Sequence, residues 1–158
     1  MKSSSTILVI TIFYIFALDP QVSGYIHTAC AMRDISSMPS SFKELINKSR
    51  NLTQSYQNET TKLADGQYNN RTMIAITNNY LPKFQNILNE SKVFLTSEPY
   101  HNASSLYTKS LESELQSYIH FRNFLSTANS TESEASMQSL ADAFNYENKS
   151  FEALPPGK

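Results

Sequence analysis

The stretch SFKELINKSRNLTQSYQNETTKL, residues 41–63, decides the fold. Its apolar residues Phe42, Leu45, Ile46, Leu52, Tyr56 and Leu63 recur near the 3.6-residue period of a helix and form one stripe. The same stretch holds three Asn-x-Ser/Thr sequons, at Asn47, Asn51 and Asn58. At about 100° per residue, these asparagines fall within about 40° of one another, opposite the stripe. A glycan is bulky and hydrated and needs a solvent face. Two independent patterns therefore choose one orientation for an amphipathic helix. Ser41-Phe42-Lys43-Glu44 fits a capping box at its start, after Pro39, and Asp65-Gly66 stops it.

Sequons continue outside this helix, at Asn70, Asn89, Asn102, Asn129 and Asn148. With 14 asparagines after residue 24, chance gives roughly three acceptors. Eight sequons are an excess, and they predict N-glycosylation in a secretory compartment. The N-terminus agrees. Lys2 precedes an unbroken apolar run over residues 7–18, ILVITIFYIFAL. That run is too short for a membrane span of about 20 residues and suits a signal peptide, with cleavage after Gly24. Residues 1–24 are thus expected as signal, and residues 25–158 as a single secreted, extracellular helical domain.

Composition points the same way. Three glycines and no tryptophan in 158 residues disfavour a sandwich or barrel and suit long helices. A formal net charge of −1 predicts binding neither to nucleic acid nor to anionic membrane, and no later segment predicts membrane insertion. Cys30 is the sole cysteine, so it is expected free, buried or joined to a disulfide partner chain.

Further along, residues 67–80 give mixed signals. Met73-Ile74-Ala75-Ile76 reads as a short extended segment or as the apolar plug of a crossover loop. Pro82 opens a shorter helix over 83–95, with Phe84, Ile87, Leu88 and Leu95 on one face, and Glu98-Pro99-Tyr100 breaks it. A strong helix over 104–126 follows. Its stripe is Leu111, Leu115, Tyr118, Ile119 and Leu125, with Tyr107 and Phe121 at the margins and Phe124 outside it and exposed. Thr131-Glu132-Ser133-Glu134 reads as a second capping box, starting a helix through Met137, Leu140, Ala141, Phe144, Phe151 and Leu154. Asn148 falls about 60° from that stripe, so either this helix ends near Tyr146 or the sequon is unused.

No catalytic constellation emerges. His27, His101 and His120 share no ligand spacing with one another or with Cys30, and no nucleophile elbow, phosphate loop or Cys-x-x-Cys is present. Glu112 and Glu114 lie two apart, on different sides of a helix, and read as solvated surface charges; His120 reads as a helix-surface histidine. The expectation is a non-enzyme with no catalytic, metal or cofactor-binding residues and no cofactor, acting through protein–protein contact.

The helices carry a resemblance. Arg33-Asp34-Ile35 followed by FKELINKSRNLTQSYQNE is similar to the first helix of the ciliary neurotrophic factor group. Leu111-Glu112-Ser113-Glu114-Leu115-Gln116-Ser117-Tyr118, continuing IHFRNFL, resembles that group's second helix. Ala143-Phe144-Asn145-Tyr146 sits where its third helix carries a similar Ala-Phe-x-Tyr. Interleukin-12 alpha subunits fit the last two helices nearly as well. The resemblance implies an all-α, four-helix-bundle cytokine of the interleukin-6 superfamily, a secreted ligand of a type I cytokine receptor ectodomain. It also implies an up-up-down-down order, whose long crossover would run from Leu63 to Ser104. On this reading helices A, B and C are recognisable. The fourth, D, is missing, as in a truncated form, unless residues 83–95 replace it. Receptor-binding residues stay unassigned. Sugars at Asn47, Asn51 and Asn58 would crowd the face relatives use toward a receptor. The alternatives are a glycoprotein with a structural or immune-shielding role and a small-ligand carrier with a pocket between helices.

Overall fold

The computed structural model describes residues 38–93 and 98–155. Four helices make up the described chain: α1, Ser40–Ala64; α2, Asn70–Val93; α3, His101–Thr127; and α4, Ser130–Glu152. No strand occurs among the described residues. The fold is all-α. The expected signal peptide, the predicted cleavage site, His27, Cys30 and the Arg33-Asp34-Ile35 motif lie outside the described residues.

The first helix keeps its predicted orientation: Phe42, Leu45, Ile46, Tyr56 and Leu63 are buried, with Leu52 half-buried. The predicted capping box does not form. The helix starts one residue earlier, at Ser40, and the Pro39 carbonyl accepts from the backbone N–H groups of Phe42 and Lys43. Its end does match. Gly66, at φ +74°, takes the left-handed conformation, and the Gln67 N–H reaches back to the Lys62 carbonyl at 2.9 Å.

The absence of a fourth helix is overturned. The segment expected to be a crossover, plus the short helix after Pro82, is one continuous 24-residue helix, α2. Its buried residues Met73, Thr77, Phe84, Ile87, Leu88 and Ser91 keep a single helical stripe straight through the proline. Pro82 itself is exposed. A mid-helix proline costs about 3 kcal/mol, and burial of apolar side chains on both sides of it offsets that cost.

Short links then fix the topology. The α1–α2 link is residues 65–69 and the α3–α4 link is residues 128–129. Five residues reach at most about 18 Å, half the roughly 36 Å of a 24-residue helix, so each helix folds back along its predecessor. Contacts run accordingly. Lys48 and Tyr56 of α1 meet Glu90 and Thr77 of α2, and Asn78 and Lys92 of α2 meet Arg122 and Glu112 of α3. The order is up-down-up-down, not the up-up-down-down order with long crossovers that the resemblance implied.

Packing differs between the halves. Against α1 and α2 the core is aromatic, with the Tyr56 ring 4.5 Å from Tyr118 and 5.9 Å from Phe84. The α3–α4 pair packs more closely than any other. Its interface is built from Ala103, Ser110 and Ser117 on α3 and Ser136, Ala143 and Ser150 on α4, each set spaced by seven residues and each residue buried. Small side chains let the two backbones approach, so hydroxyls donate across to main-chain carbonyls: Ser110 to Ala143 at 2.8 Å, Ser136 to Ser117 at 2.9 Å and Ser150 to Ala103 at 2.7 Å. Phe124, the next residue in the α3 series, is 3% exposed and closes the seam at the turn, correcting the expectation of an exposed ring. Helix α3 is buried on two sides because it packs against α4 as well as α1 and α2.

The α4 reading is corrected in the same way. Its buried face is Ser133, Ser136, Leu140, Ala143, Ser150 and Phe151. Ala141 is exposed, while Met137 and Phe144 are half-buried. The helix reaches Glu152, past the end near Tyr146 posed for that sequon, and Asn148 is exposed. The N-cap is Asn129, whose side-chain oxygen accepts from the Thr131 N–H at 3.1 Å; the predicted Thr131 box does not form.

Candidate functional site

The sequon asparagines were the residues singled out for function. Asn47, Asn51, Asn58, Asn70, Asn89, Asn102, Asn129 and Asn148 are all exposed. A sugar on any of them would meet solvent and not the core. Five lie on α1 and α2. The other three sit at the ends of the α3–α4 hairpin: Asn102 in the first turn of α3, Asn129 at the turn and Asn148 near the end of α4.

Between those ends the hairpin carries no sequon along α3 after Asn102, a length of roughly 35 Å. Its outer side is polar and cross-braced. His120 Nδ1 of α3 lies 2.8 Å from the Glu132 carboxylate of α4, and Asn123 donates to the same carboxylate oxygen at 3.3 Å. The His120 hydrogen bond holds the Glu132 carboxyl below the usual carboxylate range. His120 is thus half-buried and paired, not merely a surface histidine. Farther along, the Lys109 ammonium stands 5.8 Å from the ring centroid of Tyr146, and Lys149 of the next turn stands 5.9 Å away. Tyr146 is half-buried between them. A partly exposed aromatic flanked by cations is the composition of an interface anchor.

A second cluster lies inside the bundle, and the sequence reading missed it. Glu114 is not a solvated surface charge. Its carboxylate points inward, where Oε1 accepts from Thr53 of α1 at 2.7 Å and from Tyr118 at 2.6 Å. Burial pushes the Glu114 carboxyl up, against the opposing pull of those two donors, and the Glu147 charge adds to the rise. Burial also raises the Tyr118 hydroxyl, and the Glu114 charge raises it further. Nearby, Glu147 pairs with Arg50 at 3.2 Å, and the Arg50 guanidinium lies 5.2 Å from the Phe151 ring. The Tyr107 and Ser49 hydroxyls are bonded to each other. Every buried side-chain polar atom among the described residues has a partner. The cluster joins α1, α3 and α4 as a satisfied network, which locks their register.

Glu112, by contrast, pairs with Lys92 at 2.7 Å on the surface, so the two glutamates do point apart. Among the described residues no group of three or more His, Cys, Asp or Glu is placed to hold a metal ion. None of the described helices is long and apolar enough to cross a membrane. Comparison with protein-family models, with curated proteins and with solved structures gave no match.

Proposed function

We propose that the chain is a secreted N-glycoprotein acting as an extracellular protein ligand, docking its partner through the outer face of the α3–α4 hairpin. The observation that carries this reading is the distribution of sequons: all eight asparagines are exposed, and the hairpin is clear between Asn102 and Asn148 at one end and Asn129 at the other. A glycan excludes protein contact over its own footprint, so a clear face with an aromatic anchor is where a partner fits. The cytokine reading is the specific form of this proposal, with a type I cytokine receptor ectodomain as the partner. It draws on the sequence resemblance and on an all-α bundle of four helices. The short links do not reproduce that family's crossovers, so the proposal leans on the clear face.

The test is binding of the secreted glycoprotein to a panel of type I receptor ectodomains. Tyr146→Ala should weaken a bound partner at least tenfold, and Asn86→Ala on exposed α2 should leave it unchanged. Absence of binding across the panel removes the cytokine form. Equal effects of the two variants remove the docking face. A shielding role is favoured by one specific observation, that each helix has a sequon in it or at its N-cap. Mass-spectrometric site mapping separates the two, since occupancy that leaves one face bare fits a ligand and sugar on every face fits a shield.

A further inference from the structure

A sequon has two parts, and the fold treats them differently. The transferase reads the asparagine and also the hydroxyl two residues on. In a helix that hydroxyl lies about 200° around from the asparagine, so an exposed acceptor turns its hydroxyl inward. The structure follows this geometry in detail. Ser49, Ser91 and Ser150, partners of Asn47, Asn89 and Asn148, are 2%, 3% and 0% exposed. Thr60 and Ser104, partners of Asn58 and Asn102, are buried as well. Each of the five hydroxyls is engaged. Ser49 donates to the Ile46 carbonyl, Thr60 to Gln57, Ser91 to Leu88, Ser104 to His101 and Ser150 across the seam to Ala103. Thr53 and Thr72, partners of Asn51 and Asn70, are half-buried, whereas Thr131, partner of Asn129, is exposed, and Asn129 has an extended backbone at φ −77° and ψ 118°.

We infer that Asn47, Asn58, Asn89, Asn102 and Asn148 accept sugar only before their helices fold, and that Asn129 is a sequon the folded chain still offers. The inference rests on the glycoprotein reading and adds an order to it. Transfer from a lipid-pyrophosphate-linked oligosaccharide joins asparagine Nδ2 to sugar C1. The C1–O bond to the pyrophosphate breaks, the lipid pyrophosphate leaves with that electron pair, and the amide proton passes to a base. At Asn47 and Asn58 this requires the body of α1 to unwind, and at Asn89, Asn102 and Asn148, in terminal turns, it requires the end of the helix to open and a buried, hydrogen-bonded hydroxyl to emerge. At Asn129 only the first turn of α4 must open. The N-cap there uses Oδ1 and transfer uses Nδ2, so the folded protein keeps its cap after modification.

The test uses the full chain made without sugar, shown helical by circular dichroism, alongside synthetic peptides spanning each sequon. A purified oligosaccharyltransferase and its lipid-linked donor act on both, and sites are mapped by mass spectrometry. The expected result is transfer to the peptides, with transfer in the folded chain at Asn129 and more than about tenfold slower at Asn47, Asn89 and Asn148 than in their peptides. Equal rates in chain and peptides at those three sites overturn the ordering. Peptides that accept nothing overturn the glycoprotein reading itself, and the ordering with it. A second measurement does not need the sugar-free chain to fold. In secreting cells whose transferase is partly inhibited, Ser136→Leu, which overfills the α3–α4 seam and makes it close later and open more often, should raise occupancy at Asn102 and Asn148 relative to Asn129. An unchanged ratio counts against the inference.

Discussion

On α1, the Tyr56 ring meets those of Tyr80, Phe84 and Tyr118 at centroid separations between 4.5 and 5.9 Å, and its hydroxyl bonds Thr77 at 2.8 Å. On α3, Ser117 meets Ser136 of α4 with their hydroxyls 3.3 Å apart. Both places are fully buried, yet the physics differs. Rings remove large apolar areas from water and hold the helices apart. Serine and alanine remove little area but let backbones approach, so stability there comes from close packing and from hydrogen bonds to main-chain carbonyls. The two regions should therefore fail in opposite ways: the aromatic half when it is emptied, and the seam when it is filled.

Emptying the aromatic half has the largest expected effect. Tyr56→Ala deletes a ring with no exposure and one of the two hydrogen bonds of the Thr77 hydroxyl, which keeps its bond to the Met73 carbonyl, and the cost should be about 3–5 kcal/mol, enough to threaten folding. Urea unfolding followed by circular dichroism measures it. Filling the seam comes next. Ser136→Leu puts a branched side chain where a hydroxyl lies 2.9 Å from the Ser117 carbonyl, and should cost about 1–3 kcal/mol. If this leucine were stabilising, the two helices would have room to part, and the contrast would collapse.

Glu114 sits where the two regions join, and its effect is smaller and depends on pH. Its carboxyl is raised in the folded state by burial. The folded protein therefore holds a proton that the unfolded chain has already released. Stability should fall as pH rises from the ordinary glutamate range through the raised value, then level off. Glu114→Gln keeps an acceptor for Thr53 and Tyr118 and carries no charge, so its unfolding midpoint should lack this step. Midpoints from pH 4 to 8 for the two proteins should diverge upward in favour of the glutamine form. Parallel curves would mean that the carboxylate is effectively solvated.

The same contrast explains what was legible in the sequence. Apolar residues at helical spacing announced α1, and they set the solvent face of Asn47, Asn51 and Asn58 correctly. In α2 the stripe was present but Pro82 hid its continuity, because proline rules speak for the isolated helix and not for one clamped along its length. The seam was illegible for another reason. Ser110, Ser117, Ser136 and Ser150 count as polar on any apolar template, which turns the expected face of α4 toward Met137 and Ala141 and leaves Phe124 outside the α3 stripe. The available signal was a spacing: small residues at 103, 110 and 117, then at 136, 143 and 150. Glu114 gave no sign of its burial, since what encloses it comes from α1 as well as α3. The outer face of the hairpin, with Lys109 and Tyr146 far apart in sequence, likewise exists only once the helices pair.

Removing one seam hydroxyl should matter least. Ser110→Ala deletes the donor to the Ala143 carbonyl and leaves a small buried side chain in place. That carbonyl lies inside α4, where the helix ladder supplies it another donor, so no polar group is left unsatisfied. The expected loss is about 1 kcal/mol or less, against the larger penalty for leucine at Ser136. Ser110 belongs to no sequon, so the comparison is free of any change in sugar. A loss for alanine as large as for leucine would mean that the cross-seam hydrogen bonds hold the hairpin together. A near-neutral alanine beside a costly leucine would mean that the small volume of these residues does so, with the hydroxyls setting register.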